Sequence, residues 1–383
     1  MNKHSDILSR GLVEVLPSKK ALAALMAKGP IRIYLGVDPT SPFLHLGHAI
    51  PLRKLREFQD LGHEVIVLFG TFTALIGDPA GKDKRREPLT PTEVSANMAT
   101  YTKQAFKVLD AKKTRVLKNG DWLGKLKPEE ILRLASHMTV SRLLERDMFQ
   151  ERMKRGGEVW VHEFLYPLLQ GYDSVAMDVD AEIGGTDQTF NMLVGRRLQK
   201  SYRNREKYVL TVPLLMGLDG RKMSKSYGNT VNLTDLPDDM YGKLMSMNDG
   251  LVSQYVELCT TMNQKELSGL SPREAKARVA FSIVEQYHGK LKAAKAEQEF
   301  VRVFQKKEAP LKMEEVAVAG KTMPLADLLF ASHLTSSKGE ARRLVAQHGV
   351  KLDGEVQEDP FLRVKLKKGT VIQIGKRRFA RAS

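Results

Sequence analysis

The chain is short of cysteine, of long apolar runs and of acid. Its 383 residues contain a single cysteine, Cys259. That excludes an internal disulfide framework and any zinc site built from several thiolates. A lone cysteine of this kind is expected to be a small buried apolar side chain. No apolar run reaches the roughly 20 residues that a membrane-spanning helix needs. The opening segment, MNKHSDILSRGLVEVL, lacks the apolar core of a signal peptide, so the cytoplasm is the expected location. There is no internal repeat and no low-complexity tract. Acidic residues number 45 against 61 Lys+Arg, a formal net charge of +16 with a pI of about 9.7. Such an excess favours a polyanionic partner, nucleic acid above all. A basic enzyme with no such partner has the same balance, and composition leaves both open.

What is present is ordinary globular material. The hydrophobic fraction is 42%, enough for real cores, and the length suggests two or three domains. The first 30 residues read as two helical pieces broken at Pro17, with Gly29-Pro30 as a stop. IRIYLGV (31–37) is β-rich and ends in the turn residues Asp38-Pro39-Thr40-Ser41-Pro42. A helix is expected from about Leu46 to Leu61, stopped by Gly62, followed by the apolar strand EVIVLFG (64–70). Strand, helix and strand in so short a span make a βαβ unit, hence a parallel sheet covered on both faces. Further apolar runs lie near 175–178 and 208–215. The expectation is an α/β fold: a doubly wound, Rossmann-like parallel-sheet domain over 1–227 whose ligands lie beyond the carboxyl ends of its strands.

From about 233 to 307 charged and apolar residues alternate at helical spacing, with Ser271-Pro272 as a helix start. Met240, Met245, Met247 and Met262 are expected as core filler. Glu308-Ala309-Pro310 opens a linker. The last segment, 323–383, reads as a small α+β unit: a helix over 337–348, a hairpin around Asp353-Gly354 and the strand TVIQIG. It carries 12 Lys+Arg and 6 Asp+Glu.

Two short strings carry the chemistry. HLGH (45–48) comes early, expected to end a strand and open a helix, and KMSKS (222–226) falls in a late loop. A helix N-terminus offers free N–H groups and partial positive charge to an anion. His45 and His48 can donate to phosphate oxygens there, and Gly47 lets a flat base approach the backbone. Lys222 and Lys225 sit on a loop that can close over a pyrophosphate. Lys82 and Arg86, in GDPAGKDKRRE, form a third basic pair after a Gly-rich turn. Pro51 lies one turn into the helix and cannot donate to the Gly47 carbonyl, so local irregularity is expected. Tyr166, Gln170 and Asp173 have i, i+4, i+7 spacing and share one helix face. Three polar groups on the inward face of an apolar helix need a partner.

YLGVDPTSPFLHLGH, KMSKS, YPLLQGYDSV and GGTDQTFN together resemble the signatures of the class I aminoacyl-tRNA synthetases, and within them the bacterial tyrosyl-tRNA synthetase family. The resemblance spans nearly the whole chain. Leu46 stands where isoleucine is common. The resemblance implies that Tyr34 and Asp173 hold a phenol hydroxyl, that Asp78, Tyr166 and Gln170 hold an ammonium group, and that Gln188 lies near a carboxylate. It implies adenylate contacts by Gly36, Asp38, Gly47, Gly185, Asp187 and Lys225. It implies transition-state stabilisation by His45, His48, Lys82, Arg86, Lys222 and Lys225. ATP is implied as a substrate with Mg²⁺, without a structural metal, and L-tyrosine and tRNA as the other partners. Residues 137–153 resemble the family's subunit contact, implying a homodimer. Residues 228–320 are expected as an α-helical domain with linker on the tRNA anticodon side. Residues 321–383 resemble an RNA-binding fold first described in a small-subunit ribosomal protein, with Arg342, Arg343, Lys376, Arg377 and Arg378 as its phosphate-contacting surface.

Two rival readings remain at this point. A tryptophanyl enzyme shares the phosphate motifs but has no use for a phenol-directed aspartate. An RNA-binding protein that lost synthesis would not need the basic residues of the three phosphate segments.

Overall fold

The apolar runs of the first 212 residues assemble into one sheet. Its strands are β1 (Glu14–Leu16), β2 (Arg32–Val37), β3 (Glu64–Phe69), β4 (Thr114–Lys118), β5 (Ala181–Gly185) and β6 (Tyr208–Val212), in the order β1-β6-β5-β2-β3-β4. The computed structural model describes residues 7–78, 89–224, 227–305, 313–318, 320, 322–375 and 378–383. These group into two units, Met1–Lys290 and Leu291–Ser383.

In the first unit, β2 pairs in parallel with both β3 and β5, β3 with β4, and β5 with β6. The chain runs outward from β2 through β3 to β4, then resumes on the other side of β2 with β5 and β6. The gap between β2 and β5 is therefore a topological switch point, where loops leave in opposite directions and a ligand crevice opens beyond the carboxyl ends. Ile33, Tyr34, Val65, Ile66, Ala181 and Val209 are wholly buried, as a sheet with both faces covered requires.

The sheet is not purely parallel. β1 pairs antiparallel with β6 at the edge, within the stretch before Pro17 where the first of two helical pieces was expected; the second piece is the helix Lys19–Met26. Three residues between Gly11 and Pro17 are too few to show a period. The strand is set by a partner nearly 200 residues away. The run at 175–178 is not a strand either. It closes a helix, and the strand is Ala181–Gly185. A four-residue apolar run looks the same in both states.

The helices around the sheet are α1 (Lys19–Met26), α2 (Leu46–Asp60), α3 (Thr73–Ile76), α4 (Pro91–Ala105), α5 (Gly120–Leu123), α6 (Pro128–Ala135), α7 (Val140–Leu144), α8 (Asp147–Lys154), α9 (Val161–Met177) and α10 (Thr189–Arg203). α2 runs unbroken through Pro51, against the expected irregularity. Proline removes one donor, and its fixed φ near −65° is itself helical. α9 starts on a Glu163 carboxylate that accepts the Trp160 N–H at 2.8 Å and stops at Asp178 in a left-handed conformation with φ 50°. α9 and α10 pack closely because Gly171 faces Gly195: a Cβ on Gly171 would lie 3.0 Å from the Gly195 nitrogen.

The unit continues as helices, α11 (Pro237–Met245), α12 (Val252–Cys259) and α13 (Pro272–His288). Ser271 caps α13 by accepting the Glu274 N–H while Glu274 accepts the Ser271 N–H at 2.8 Å, a reciprocal cap. Met240, Met247 and Met262 are buried, Met245 half-buried. Cys259 is buried and free, and burial pushes its thiol up to about 12.

The second unit begins in α14 (Lys290–Phe300). It contains β7 (Glu314–Val316), β8 (Thr322–Pro324), α15 (Leu325–Ala331), α16 (Lys338–Ala346), β9 (Val350–Leu352), β10 (Glu355–Gln357), β11 (Arg363–Lys365), β12 (Val371–Ile374) and β13 (Arg378–Ala382). A five-stranded sheet in the order β10-β9-β12-β13-β7 packs on α15 and α16 through Leu325, Leu328, Ala341, Val345, Val350 and Ile372. β9 and β10 form a hairpin about Asp353 and Gly354, with φ of 47° and 91°. Two positive angles in a two-residue turn match the right-handed twist of the strands. The expected linker residues 308–310 lie outside the described residues.

Candidate active site

The first residues beyond the carboxyl ends of β2, β3, β4 and β5 converge around the switch point. Asp38 follows β2, and its two carboxylate oxygens accept from Thr73 Oγ1 at 2.7 Å and from the Tyr166 hydroxyl at 2.9 Å. Asn119 follows β4; its Nδ2 donates to Asp173 Oδ2 at 3.2 Å and its Oδ1 accepts the Phe72 N–H at 2.9 Å. Trp122 Nε1 donates to Asp173 Oδ1 at 2.8 Å. Asp173 is only 2% exposed. Burial pushes its carboxyl well above the ordinary carboxylate range, and the donors Trp122 and Asn119 pull it partly back.

Tyr34, Tyr166, Gln170 and Asp173 are thus arranged from one strand and one helix. Tyr34 is wholly buried among Ile66, Leu68, Met177 and Val179. Its hydroxyl lies 2.9 Å from Ser174 Oγ. Burial, then Glu182 and Asp173, push the Tyr34 phenol well up, and burial, then Asp38 and Asp78, push up the Tyr166 phenol. Both stay protonated and able to donate. Gln170 Nε2 donates to Glu182 Oε1 at 3.2 Å, and Gln170 Oε1 is buried with no partner among the described residues. Gln188 Nε2 donates to Asp78 Oδ2 at 2.6 Å and its Oε1 accepts from Asn191 at 3.0 Å. Gly36 is the exposed position of β2.

The segment that follows KMSKS meets HLGH at the start of α2. Leu46 N–H donates to the Val231 carbonyl at 2.9 Å, Leu233 N–H donates to the Leu44 carbonyl at 2.9 Å, and His45 and Asn232 form a bridge between them. The stretch just after KMSKS is thereby tied to HLGH. HLGH opens the helix and does not end β2, which stops at Val37. The His45 backbone N–H donates to His48 Nδ1 at 3.2 Å, and the two rings lie against each other with centroids 3.8 Å apart at a tilt of 43°. A Cβ on Gly47 would lie 3.1 Å from His45 Cε1 and Nδ1, so glycine makes room for the imidazole itself.

The KMSKS loop is built by Asn229. Its Oδ1 accepts the Ser224 N–H at 2.9 Å, and its Nδ2 donates to Asp219 at 2.8 Å and to the Lys222 carbonyl at 3.2 Å. Asn229 and then Arg221 hold the Asp219 carboxyl down at about 2. Lys222 reaches Asp187, in the loop after Gly185 that ends β5, at 3.1 Å. Lys82, Arg86, Lys225, Lys376 and Arg377 lie outside the described residues.

Sequence reasoning missed Thr73, Asn119, Trp122, Ser174, Glu182 and Lys207. It also missed Arg146, which is 8% exposed, stacks over Phe190 at 4.9 Å and feels the charges of Asp78 and Tyr166. Apart from Ser174, which falls inside YPLLQGYDSV, none of these sits in a signature string; only contact across the fold marks them.

A family model described as tRNA synthetases class I (W and Y) matches residues 26–305, and an S4 domain model matches residues 323–372. The chain belongs to the class I tRNA synthetases of this W and Y family. This synthetase is 47% identical over 385 residues to a protein of Mannheimia succiniciproducens named tyrosine–tRNA ligase, covering 98% of this chain and 97% of the other. It is 46% identical over 387 residues to the tyrosine–tRNA ligase of Thermotoga maritima, covering 98% and 96%. Among solved structures, a C-terminally truncated mitochondrial tyrosyl-tRNA synthetase of Aspergillus nidulans superposes with a TM-score of 0.67 at 25% identity, over 79% of this chain and 95% of that one. The Archaeoglobus fulgidus tyrosyl-tRNA synthetase complexed with L-tyrosine shares the fold, with a TM-score of 0.60 at 22% identity over 77% of this chain and 99% of that one.

In the second unit, Arg342 and Arg343 are exposed on α16. The Arg342 guanidinium stacks over Phe361 at 5.0 Å. Arg378 donates to the Leu334 carbonyl at 3.0 Å and lies 3.7 Å from Glu340.

Proposed function

We infer that this synthetase is a tyrosine–tRNA ligase. It activates L-tyrosine with ATP to tyrosyl-adenylate and pyrophosphate, then passes the tyrosyl group to the 3′ end of tRNA(Tyr). The observation that carries the choice of amino acid is Asp173, a buried acceptor beside Tyr34 and under the Trp122 indole N–H. A phenol hydroxyl satisfies it. A bare benzene ring leaves it desolvated and unpaired, which costs about 1–3 kcal/mol or more for a charged group.

In this reading the phenol donates to Asp173 and accepts from Tyr34. The ammonium sits among Asp78, Tyr166 and Gln170, whose buried Oε1 is an acceptor without a donor. Gln188 lies beside the carboxylate. Gly36, Asp38, Gly47, Gly185 and Asp187 line the adenylate. ATP enters as its Mg²⁺ complex. The tyrosine carboxylate attacks the α-phosphate in line, pyrophosphate leaves, and no covalent enzyme intermediate forms. His45, His48, Lys82, Arg86, Lys222 and Lys225 stabilise charge that grows on the phosphates only in the transition state. Positioning and electrostatics supply the rate.

We place the functional divisions at 1–227, 228–320 and 321–383, with the last contacting tRNA phosphates through Arg342, Arg343, Lys376, Arg377 and Arg378. The working form is a cytoplasmic homodimer. Leu132, Val140, Met153 and Val161 are large apolar side chains exposed by 70%, 61%, 40% and 76%, and exposed apolar side chains in and beside 137–153 support this reading.

Pyrophosphate exchange with each amino acid in turn tests the assignment. Exchange with tyrosine alone is expected; exchange with tryptophan and not tyrosine overturns it.

A further inference from the structure

Ser174, Glu182 and Lys207 have no role in the reaction as derived so far, yet they are 0%, 2% and 0% exposed. Lys207 comes just before β6 and runs between α9 and α10. Its ammonium donates to Ser174 Oγ at 2.7 Å, to the Met192 carbonyl at 3.2 Å and to Glu182 Oε2, an ion pair. Three donors meet three acceptors. The space is kept for it: a Cβ on Gly195 would overlap the Lys207 ammonium and lie 2.9 Å from Ser174 Oγ.

This cluster has a direction. A lysine ammonium can only donate. Ser174 Oγ accepts from it and is polarised by it, becoming a weaker acceptor and a stronger donor. The Ser174 proton then points to Tyr34 Oη, 2.9 Å away, and the Tyr34 proton is turned toward the ligand side. Glu182 is the competing acceptor for that proton, since both its charge and a hydrogen bond to it bear on the Tyr34 hydroxyl. Lys207 on Oε2 and Gln170 Nε2 on Oε1 draw it away. On the other side, a carboxylate has no proton to give. Gln170 must therefore present its NH₂ to Glu182, which turns Oε1 the other way, where it is buried and unpaired.

We propose that the buried Lys207–Glu182 ion pair is a positioning device for the amino acid. Through Ser174 it sets Tyr34 as a donor to the substrate's phenol oxygen, and directly it sets Gln170 as an acceptor for the substrate's ammonium. The proposal rests on the assignment of Tyr34, Asp173 and Gln170 to tyrosine made above. One buried charge pair thus imposes polarity at both ends of the substrate, phenol and ammonium.

The test measures kcat/KM for pyrophosphate exchange with L-tyrosine and L-phenylalanine, and inhibition by 3-(4-hydroxyphenyl)propionate, which lacks the ammonium. Ser174→Ala is expected to lower the tyrosine-to-phenylalanine ratio about tenfold, the worth of one hydrogen bond, and to leave the preference for the ammonium unchanged. In a Tyr34→Phe background the same substitution is expected to change the ratio no further, because the coupling runs through the Tyr34 hydroxyl. Lys207→Met/Glu182→Gln, which removes the charges together, is expected to lower both preferences. Equal loss with both amino acids on Ser174→Ala overturns the proposal, as does an undiminished effect in the Tyr34→Phe background. If Tyr34→Phe alone leaves the ratio unaltered, the phenol assignment itself fails. A changed ratio with Tyr34→Phe and an unchanged one with both other variants rejects the ion pair only.

Discussion

Lys222 Nζ and Asp187 Oδ2 stand 3.1 Å apart, joining the second signature loop to the loop that leaves β5. Both side chains are substantially exposed, at 53% and 37%. An exposed pair of this kind contributes only about 0–1 kcal/mol. It is readily given up when a polyphosphate arrives, and the lysine can then follow the charge. Lys222→Ala is expected to slow single-turnover adenylate formation about 10²-fold, the scale of one transition-state donor. Tyrosine binding in the absence of ATP should be unchanged. Equal weakening of both would contradict a role confined to the transition state.

Asp173 makes recognition of tyrosine sensitive to pH. Burial raises its carboxyl, so the ionised acceptor is complete only above a pH higher than usual for an aspartate. The tyrosine preference over phenylalanine is expected to be full above that raised value and to fall as pH drops through it. The stability term has the opposite sense: a raised folded pKa contributes most when the group is protonated and is lost as pH rises. Trp122→Phe removes a donor that favours the charged form, so the preference should fade at a higher pH than in the parent. Paired pH profiles of exchange with the two amino acids read the shift; coincident midpoints reject it.

Lys207→Met alone leaves Glu182 buried without its partner. A loss of about 3–5 kcal/mol is expected, read from the urea midpoint. Lys207→Met/Glu182→Gln should recover part of it, because the stranded charge is gone.

The C-terminal unit has its own core, with Leu328 wholly buried. Leu328→Ala is expected to cost about 2–5 kcal/mol within that unit. Deleting residues 323–383 should spare adenylate formation and weaken tRNA charging, with the gap to the full chain narrowing as salt is raised. Unchanged charging at moderate salt would count against a role for this unit in tRNA binding.

Leu132→Glu/Val140→Glu places charge on the exposed apolar surface. A shift from dimer to monomer in sedimentation equilibrium is the expected outcome. A variant as dimeric as its parent would move the interface elsewhere.

The α/β class was legible in the sequence because βαβ order shows as period and length. α2 and β3 fall within a residue of where IRIYLGV, HLGH and EVIVLFG put them. The hairpin at Asp353-Gly354 was legible for a local reason: its turn needs two positive φ angles, and those residues tolerate them. The edge strand β1 and the helical end of 175–177 were not, since three or four residues carry no period and take their state from remote partners.

The residue types at the site were also written in the chain: KMSKS by its rarity, HLGH by its pairing with KMSKS, and Tyr166, Gln170 and Asp173 by helical spacing. What the chain alone could not say is which group each one faces. Asp38 turned out to hold Tyr166, Gln188 to hold Asp78, and Ser174 to stand between Tyr34 and Lys207. The sequence by itself determined the fold class and the chemical inventory, because local propensity and side-chain type travel with the residue. Only tertiary structure decided the polarity of the site. A hydrogen bond's direction depends on the third group beyond it, here a lysine that follows Tyr34 by more than 170 residues and reaches it only once β5 and β6 lie side by side.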